Sequence, residues 1–156
     1  MSKIAVFPGS FDPFTIGHES IVRRAVNIFD KLIIAIGFNT NKTGFWPLEK
    51  RTKMITDIFI DDPRIVIDAY SDLTVDYCNR VGAHFMIRGL RTAVDFEYER
   101  SIGQSNKQLD PGIESVFILT APEYTHVNSS IVRDIIGHNG DASMFMSKKV
   151  NYRDYL

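Results

Sequence analysis

The chain has 156 residues, 44% hydrophobic and 24% charged, with 18 basic side chains against 19 acidic ones and a formal net charge of −1. That length fits one domain, residues 1–156, with a substantial core, and the charge balance excludes a protein that coats nucleic acid or an anionic membrane. A single cysteine, Cys78, excludes an internal disulfide framework and a Cys-rich zinc site.

The first element in chain order is a short apolar strand, Ile4 to Phe7. The run Met1-Ser2-Lys3-Ile4-Ala5-Val6-Phe7 is too short to be a signal peptide, and no apolar run approaches bilayer-crossing length, so a cytoplasmic location is expected. A turn rich in Gly and Pro follows, and Thr15 is placed to cap a helix whose apolar face is Ile21, Val22, Ala25, Ile28 and Phe29. Leu32 to Ile36 reads as the second strand, followed by the polar loop Asn39-Thr40-Asn41-Lys42 and a helix packing Met54, Ile55, Ile58 and Phe59. Ile65-Val66-Ile67 is a shorter strand. Leu73, Tyr77, Cys78 and Val81 fall at helical spacing, which gives the cysteine a packing role.

Phe85 to Ile87 and Val116 to Leu119 complete the strands, with a weakly amphipathic helix from Val94 to Leu109 between them. Ile131, Val132, Ile135 and Ile136 form a last core helix, and residues 138–156 read as a helical tail after a turn at Asn139-Gly140-Asp141. The strands are near-continuous in hydrophobicity, as expected when both faces of a parallel sheet are covered. The alternation predicts a Rossmann-like, doubly wound α/β domain: a five-stranded parallel sheet with helices on both faces. Ligands of such sheets bind beyond the carboxyl ends of the strands, where the strand order reverses.

The run from Phe7 to His18 ends the first strand and delivers His18 to the first turn of a helix. Backbone N–H groups and the helix dipole favour an anion there, so a nucleotide phosphate is the expected ligand. Lys42 on its own is equally a solvated loop lysine. Tyr124-Thr125-His126-Val127-Asn128-Ser129-Ser130 leads into the last core helix, where Ser and Asn serve as caps in any protein.

Thr15-Ile16-Gly17-His18 matches the T/H-x-G-H signature of nucleotidyltransferases. With Pro8-Gly9-Ser10-Phe11-Asp12-Pro13, with Arg88-Gly89-Leu90-Arg91 and with Asp95-Phe96-Glu97-Tyr98-Glu99, the chain resembles the bacterial phosphopantetheine adenylyltransferases almost end to end. The resemblance implies transfer of the adenylyl group of ATP to 4′-phosphopantetheine, giving dephospho-coenzyme A and pyrophosphate by direct in-line attack. It implies that His18 stabilises the transition state at the α-phosphate. Ser10, Phe11, Gly89, Leu90, Arg91, Glu99 and the segment Tyr124, Thr125, His126, Val127, Asn128, Ser129 and Ser130 would bind ATP. Arg91 would grip the phosphates, Glu99 the nucleoside side, and Tyr124 would stand as an aromatic wall for adenine.

Ser10, Lys42, Thr74 and Arg88 would bind phosphopantetheine, with Lys42 and Arg88 converging on its phosphate. Ser10 stands where the family usually has Thr, Asn128 departs from the common I-S-S-S pattern, and Arg133 occupies a position that is often basic. The resemblance further implies Mg2+ as cofactor, held mainly by ATP phosphates, coenzyme A as feedback inhibitor, and a homohexamer. His84, His126 and His138 lack metal-ligand spacing, so no protein-held metal is expected. Met146-Ser147-Lys148-Lys149, similar to the lysine loop of class I aminoacyl-tRNA synthetases, reads as an exposed helix start. Two competing readings are a nucleotidyltransferase acting on nicotinamide mononucleotide or glycerol 3-phosphate, and a nucleotide sensor without turnover.

Overall fold

The five apolar stretches become the strands of one all-parallel sheet in the computed structural model, which describes residues 1–156. In chain order the elements are β1 (Ile4–Gly9), α1 (Ile16–Ala25), β2 (Lys31–Gly37), α2 (Leu48–Ile58), β3 (Ile65–Tyr70) and α3 (Thr74–Arg80). They continue with β4 (Phe85–Leu90), α4 (Ala93–Leu109), β5 (Glu114–Leu119) and α5 (Ser129–Gly137). The sheet order is β3-β2-β1-β4-β5, so the winding reverses between β1 and β4. This is the doubly wound arrangement that the alternation of elements predicts, and it puts the ligand crevice at the carboxyl ends of β1 and β4.

Successive side chains of a strand point to opposite faces, and the two cores divide accordingly. Ala5, Phe7, Leu32, Ile34 and Ile36 face α1, α2, α5 and the tail in the larger core. Val6, Ile33 and Ala35 face Val75, Tyr77 and Cys78 of α3 in the smaller one. Burial holds the Cys78 thiol up at about 11, so it stays a protonated packing group. α4 lies on the same side as α3, where Asn106 Nδ2 donates to Met86 Sδ at 3.4 Å.

β1 pairs with β2 along its whole length, from Ile4↔Lys31 to Gly9↔Ile36. Against β4 it pairs only at Ala5↔Phe85 and Val6↔Met86. Beyond Val6 the two central strands part, and this splay opens the crevice.

Several sequence expectations are corrected. β4 runs on through Arg88, Gly89 and Leu90, three residues beyond the Ile87 at which the apolar run ends, so Gly89 lies within the strand. β3 alternates between buried and exposed positions because it is an edge strand, with Val66 36% exposed. α1 stops at Ala25, which leaves Ile28 exposed rather than on the core face.

The tail is short 3₁₀ turns at Ser143–Phe145 and Tyr152–Tyr155, and it completes the larger core with Met146, Tyr152 and Tyr155. Tyr155 Oη donates to Asp57 Oδ2 at 2.7 Å, and Lys50 Nζ donates to the Leu156 carbonyl at 2.6 Å. Both bonds fasten the tail to α2. No helix starts at Ser147; its hydroxyl accepts from Lys149 N–H at 3.1 Å within a turn.

Candidate active site

Thr15 has extended backbone angles and caps α1: His18 N–H donates to Thr15 Oγ1 at 3.4 Å. Capping boxes ordinarily return the bond through a Glu or Gln three residues on. Here the His18 ring does so, with Thr15 N–H donating to Nδ1 at 3.0 Å. That bond makes Nδ1 an acceptor and puts the proton of the neutral ring on Nε2. Phe7, Phe11 and Phe14 surround the imidazole, with ring centroids 6.2, 5.1 and 5.3 Å away. Burial, followed by the positive charges of Arg91 and Arg88, pushes the His18 pKa down to about 4. At neutral pH His18 is therefore an uncharged, oriented N–H donor lining the crevice.

The turn between β1 and α1 is held from three sides. Arg51 Nη1 donates to the Ser10 carbonyl at 2.7 Å, Arg133 Nη1 to the Asp12 carbonyl at 2.7 Å, and Ser129 Oγ to the Pro13 carbonyl at 2.8 Å. Phe11 sits at φ +46°, in the left-handed region, and its ring lies over Gly9. A Cβ on Gly9 would meet that ring at 2.9 Å, so only glycine permits the approach.

The parted strands are bridged by a side chain. Arg88 Nη1 donates to the Pro8 carbonyl at 2.9 Å, while its Nε and Nη2 donate to the two carboxylate oxygens of Glu99 at 2.7 and 2.8 Å. Glu99 is the one buried residue of α4, and its partner is Arg88 rather than the neighbouring Arg100. One turn earlier, Asp95 accepts from Arg91 Nε at 3.0 Å and from Arg91 N–H at 3.2 Å. Asp95 N–H is in turn capped by Thr92 Oγ1 at 3.2 Å. Two carboxylates on one face of α4 thus orient the two arginines that flank the crevice, and a fork bound at both tines is a preorganised one.

Two cavities result. The first, of about 420 Å³, takes in Ser10, Phe11, His18, Gly89, Arg91 and Glu99 as its walls, together with Arg88, Arg133 and the segment from Tyr124 to Ser130 at Tyr124, Val127, Asn128, Ser129 and Ser130. The N-termini of α1 and α5 both face it. Asn128 caps α5 by accepting from Ile131 N–H at 2.9 Å, so the dipole of α5 favours an anion here. The second, of about 470 Å³, is walled by Ser10, Lys42, Arg51, Tyr70, Asp72 and Thr74. Thr74 Oγ1 is 2.9 Å from Tyr70 Oη. Ser10 lines both cavities.

Lys42 and Arg88 therefore do not share a wall: Lys42 is exposed on the second cavity and Arg88 lines the first. Leu90, Thr125 and His126 line neither. Leu90 is buried at the end of β4, and His126 packs its ring against Phe145 at 6.1 Å. Sequence reasoning passed over Asp12, Arg51 and the pairing of Asp95. Arg51 left a readable signal, a charge one helical turn before Met54 and Ile55 on an otherwise apolar face.

No three His, Cys, Asp or Glu side chains converge on a point that would hold a metal ion. The carboxylates nearest the crevice, Asp95 and Glu99, are engaged by arginines. This donor set does not fit a resident divalent cation.

The cytidylyltransferase-like family profile matches residues 6–135. The chain is 49% identical over 144 residues to the phosphopantetheine adenylyltransferase of Bacteroides fragilis, covering 92% of this chain and 95% of that one. It is 46% identical over 150 residues to the phosphopantetheine adenylyltransferase of Cytophaga hutchinsonii, covering 96% and 100%. Among solved structures, a bifunctional NMN adenylyltransferase/ADP ribose pyrophosphatase from Francisella tularensis, complexed with AMP and manganese, superposes with a TM-score of 0.74 at 19% identity. That match covers 99% of this chain and 48% of the other, about half the length of the bifunctional protein, and it shows a shared fold. With the family profile spanning most of its length and relatives at nearly half identity end to end, the chain belongs to the phosphopantetheine adenylyltransferases.

Proposed function

We propose that the protein transfers the adenylyl group of ATP to 4′-phosphopantetheine, releasing pyrophosphate and dephospho-coenzyme A in coenzyme A biosynthesis. A phosphate oxygen of phosphopantetheine forms the new bond to the α-phosphorus as the bond to the pyrophosphate oxygen breaks. The attacking oxygen is already anionic at neutral pH, so the protein needs neither a nucleophile nor a strong base. The observation that carries this reading is the junction of two cavities at Ser10, one walled by His18 and arginines, the other by Lys42 and Thr74.

In this reading ATP fills the first cavity. His18 Nε2–H donates to an α-phosphate oxygen, and removing one such preorganised donor costs on the order of 10²–10³ in rate. Arg91 and the free N–H groups of Ser129 and Ser130 hold the leaving pyrophosphate. Tyr124 walls the adenine. Phosphopantetheine fills the second cavity, with its phosphate at the Ser10 junction, within reach of Lys42 from one side and Arg88 from the other. Mg2+ enters with ATP as part of the substrate, since the donor set does not fit a resident ion. A cytoplasmic setting belongs to this proposal. As a separate observation, no helix is long and apolar enough to cross a membrane.

We further propose a homohexamer and inhibition by the end product coenzyme A, which shares the phosphopantetheine moiety with the substrate. The exposed apolar side chains of α4 support assembly. Pyrophosphate release that requires both ATP and 4′-phosphopantetheine, and that His18→Ala reduces on the order of 10²–10³, tests the assignment. Absence of release with that pair in the presence of magnesium refutes it.

A further inference from the structure

We propose that Arg51 and Asp12 are positioning residues that lock the Lys42 loop to the β1–α1 turn and so set how the two substrates face each other. The inference rests on the adenylyl-transfer reading above.

Arg51 is 5% exposed and lies on the apolar face of α2 beside Met54, Ile55 and Ile58. A buried cation is costly unless it is fully engaged, and no carboxylate pairs with this one. Its bonds go to two backbone carbonyls instead: Nη1 to Ser10 O at 2.7 Å and Nε to Trp46 O at 3.0 Å. One guanidinium therefore spans the turn that starts the ATP cavity and the end of the loop that carries Lys42.

Asp12 closes the connection from the other side. It is 9% exposed, and its carboxylate accepts Phe45 N–H at 2.7 Å and Trp46 N–H at 2.8 Å. Ser10, Arg51, Trp46 and Asp12 form a ring of bonds with only Phe11 intervening along the chain between Ser10 and Asp12. Arg133 extends it toward the first cavity through the Asp12 carbonyl.

Gly44 sits where a side chain would break this ring. A Cβ there would lie 2.6 Å from Asp12 Oδ2 and 3.2 Å from both Arg51 Nη2 and the Trp46 carbonyl. The ring lies at the junction of the two cavities, where the acceptor oxygen must meet the α-phosphorus. Misplacement of about 1 Å between reacting groups costs on the order of 10²-fold in rate. A lysine cannot replace Arg51, because a single ammonium on a flexible stem lacks the rigid fork that reaches two carbonyls.

The test is steady-state kinetics in both substrates for Arg51→Lys, Arg51→Met, Asp12→Asn and Gly44→Ala, with thermal unfolding of each. We expect kcat to fall about 10- to 100-fold and the phosphopantetheine KM to rise, while the ATP KM moves by less than about 3-fold. Arg51→Lys should be as impaired as Arg51→Met. Should Arg51→Met fail to fold, Gly44→Ala, which retains every buried charge, carries the same expectation. Folded variants with wild-type kcat, or with both KM values raised equally and kcat unchanged, overturn the proposal. A wild-type protein that does not turn over the substrate pair overturns the assignment and this inference together; an active wild type with unaffected variants overturns this inference alone.

Discussion

His18 is held by its backbone neighbour before any ligand arrives. The Thr15 N–H to Nδ1 bond fixes the ring and its tautomer, and protonation of Nδ1 would break that bond. The pKa falls on folding, from about 6.5 to about 4, so the folded state prefers the neutral ring. The associated stability is complete above pH 6.5 and is lost as the pH falls from 6.5 toward 4. Unfolding titrations at pH 7 and pH 4.5 should show the wild type losing roughly 2 kcal/mol more than His18→Gln. Equal losses would mean that the ring titrates normally.

Glu99 offers a second test at this scale. Its carboxylate takes both tines of Arg88, so Glu99→Gln removes one charge and leaves the shape. A charge-assisted pair of this kind contributes about 1.5–3 kcal/mol, and stability should fall by that order while kcat drops and the ATP KM holds. A rise in ATP KM alone would instead mark Glu99 as a nucleoside contact.

The residues of this site were unequally legible. Thr15 and His18 could be placed at a helix start from spacing alone, because capping chemistry is local. The imidazole as return cap could not be read, since that role ordinarily belongs to Glu or Gln. Which carboxylate holds which arginine depended on β4 running through Leu90, which the apolar pattern ending at Ile87 did not reveal.

At the scale of elements, α4 is the exception in this fold. It has 17 residues, and Glu99 is the only buried one, while Val94, Phe96, Tyr98 and Leu109 are exposed by 79, 41, 68 and 61%. An exposed apolar surface of this kind is where the proposed assembly would form its contacts. The weak amphipathic pattern from Val94 to Leu109 reflects this: the face toward the sheet includes Gly103, whose added Cβ would lie 3.2 Å from Ser115 Oγ. Sedimentation should give one species of six 17.8 kDa chains, and charges introduced together at Val94 and Tyr98 should dissociate it. A stable monomer of the wild type would contradict the assembly. Because Asp95 and Glu99 lie on this same helix, dissociation should also lower turnover by loosening Arg91 and Arg88.

For the molecule as a whole, the position of the site follows from strand order. The alternation of apolar runs and amphipathic segments was enough to infer a doubly wound sheet, because each element announces itself by its own period. The order β3-β2-β1-β4-β5 and the parting of β1 from β4 beyond Val6 are relations between distant segments. No local pattern encodes them, and they are why Lys42 and Arg88 line different cavities that meet at Ser10. In the proposed reaction this junction brings the phosphate of phosphopantetheine to the α-phosphorus of ATP without a covalent intermediate on the protein.

The most direct measurement is pyrophosphate release from ATP and from CTP with 4′-phosphopantetheine, nicotinamide mononucleotide and glycerol 3-phosphate as acceptors. Release should occur with ATP and 4′-phosphopantetheine alone, and His18→Ala should lower it on the order of 10²–10³-fold. Preference for another acceptor or for CTP, or a His18→Ala variant as fast as the wild type, would contradict the account.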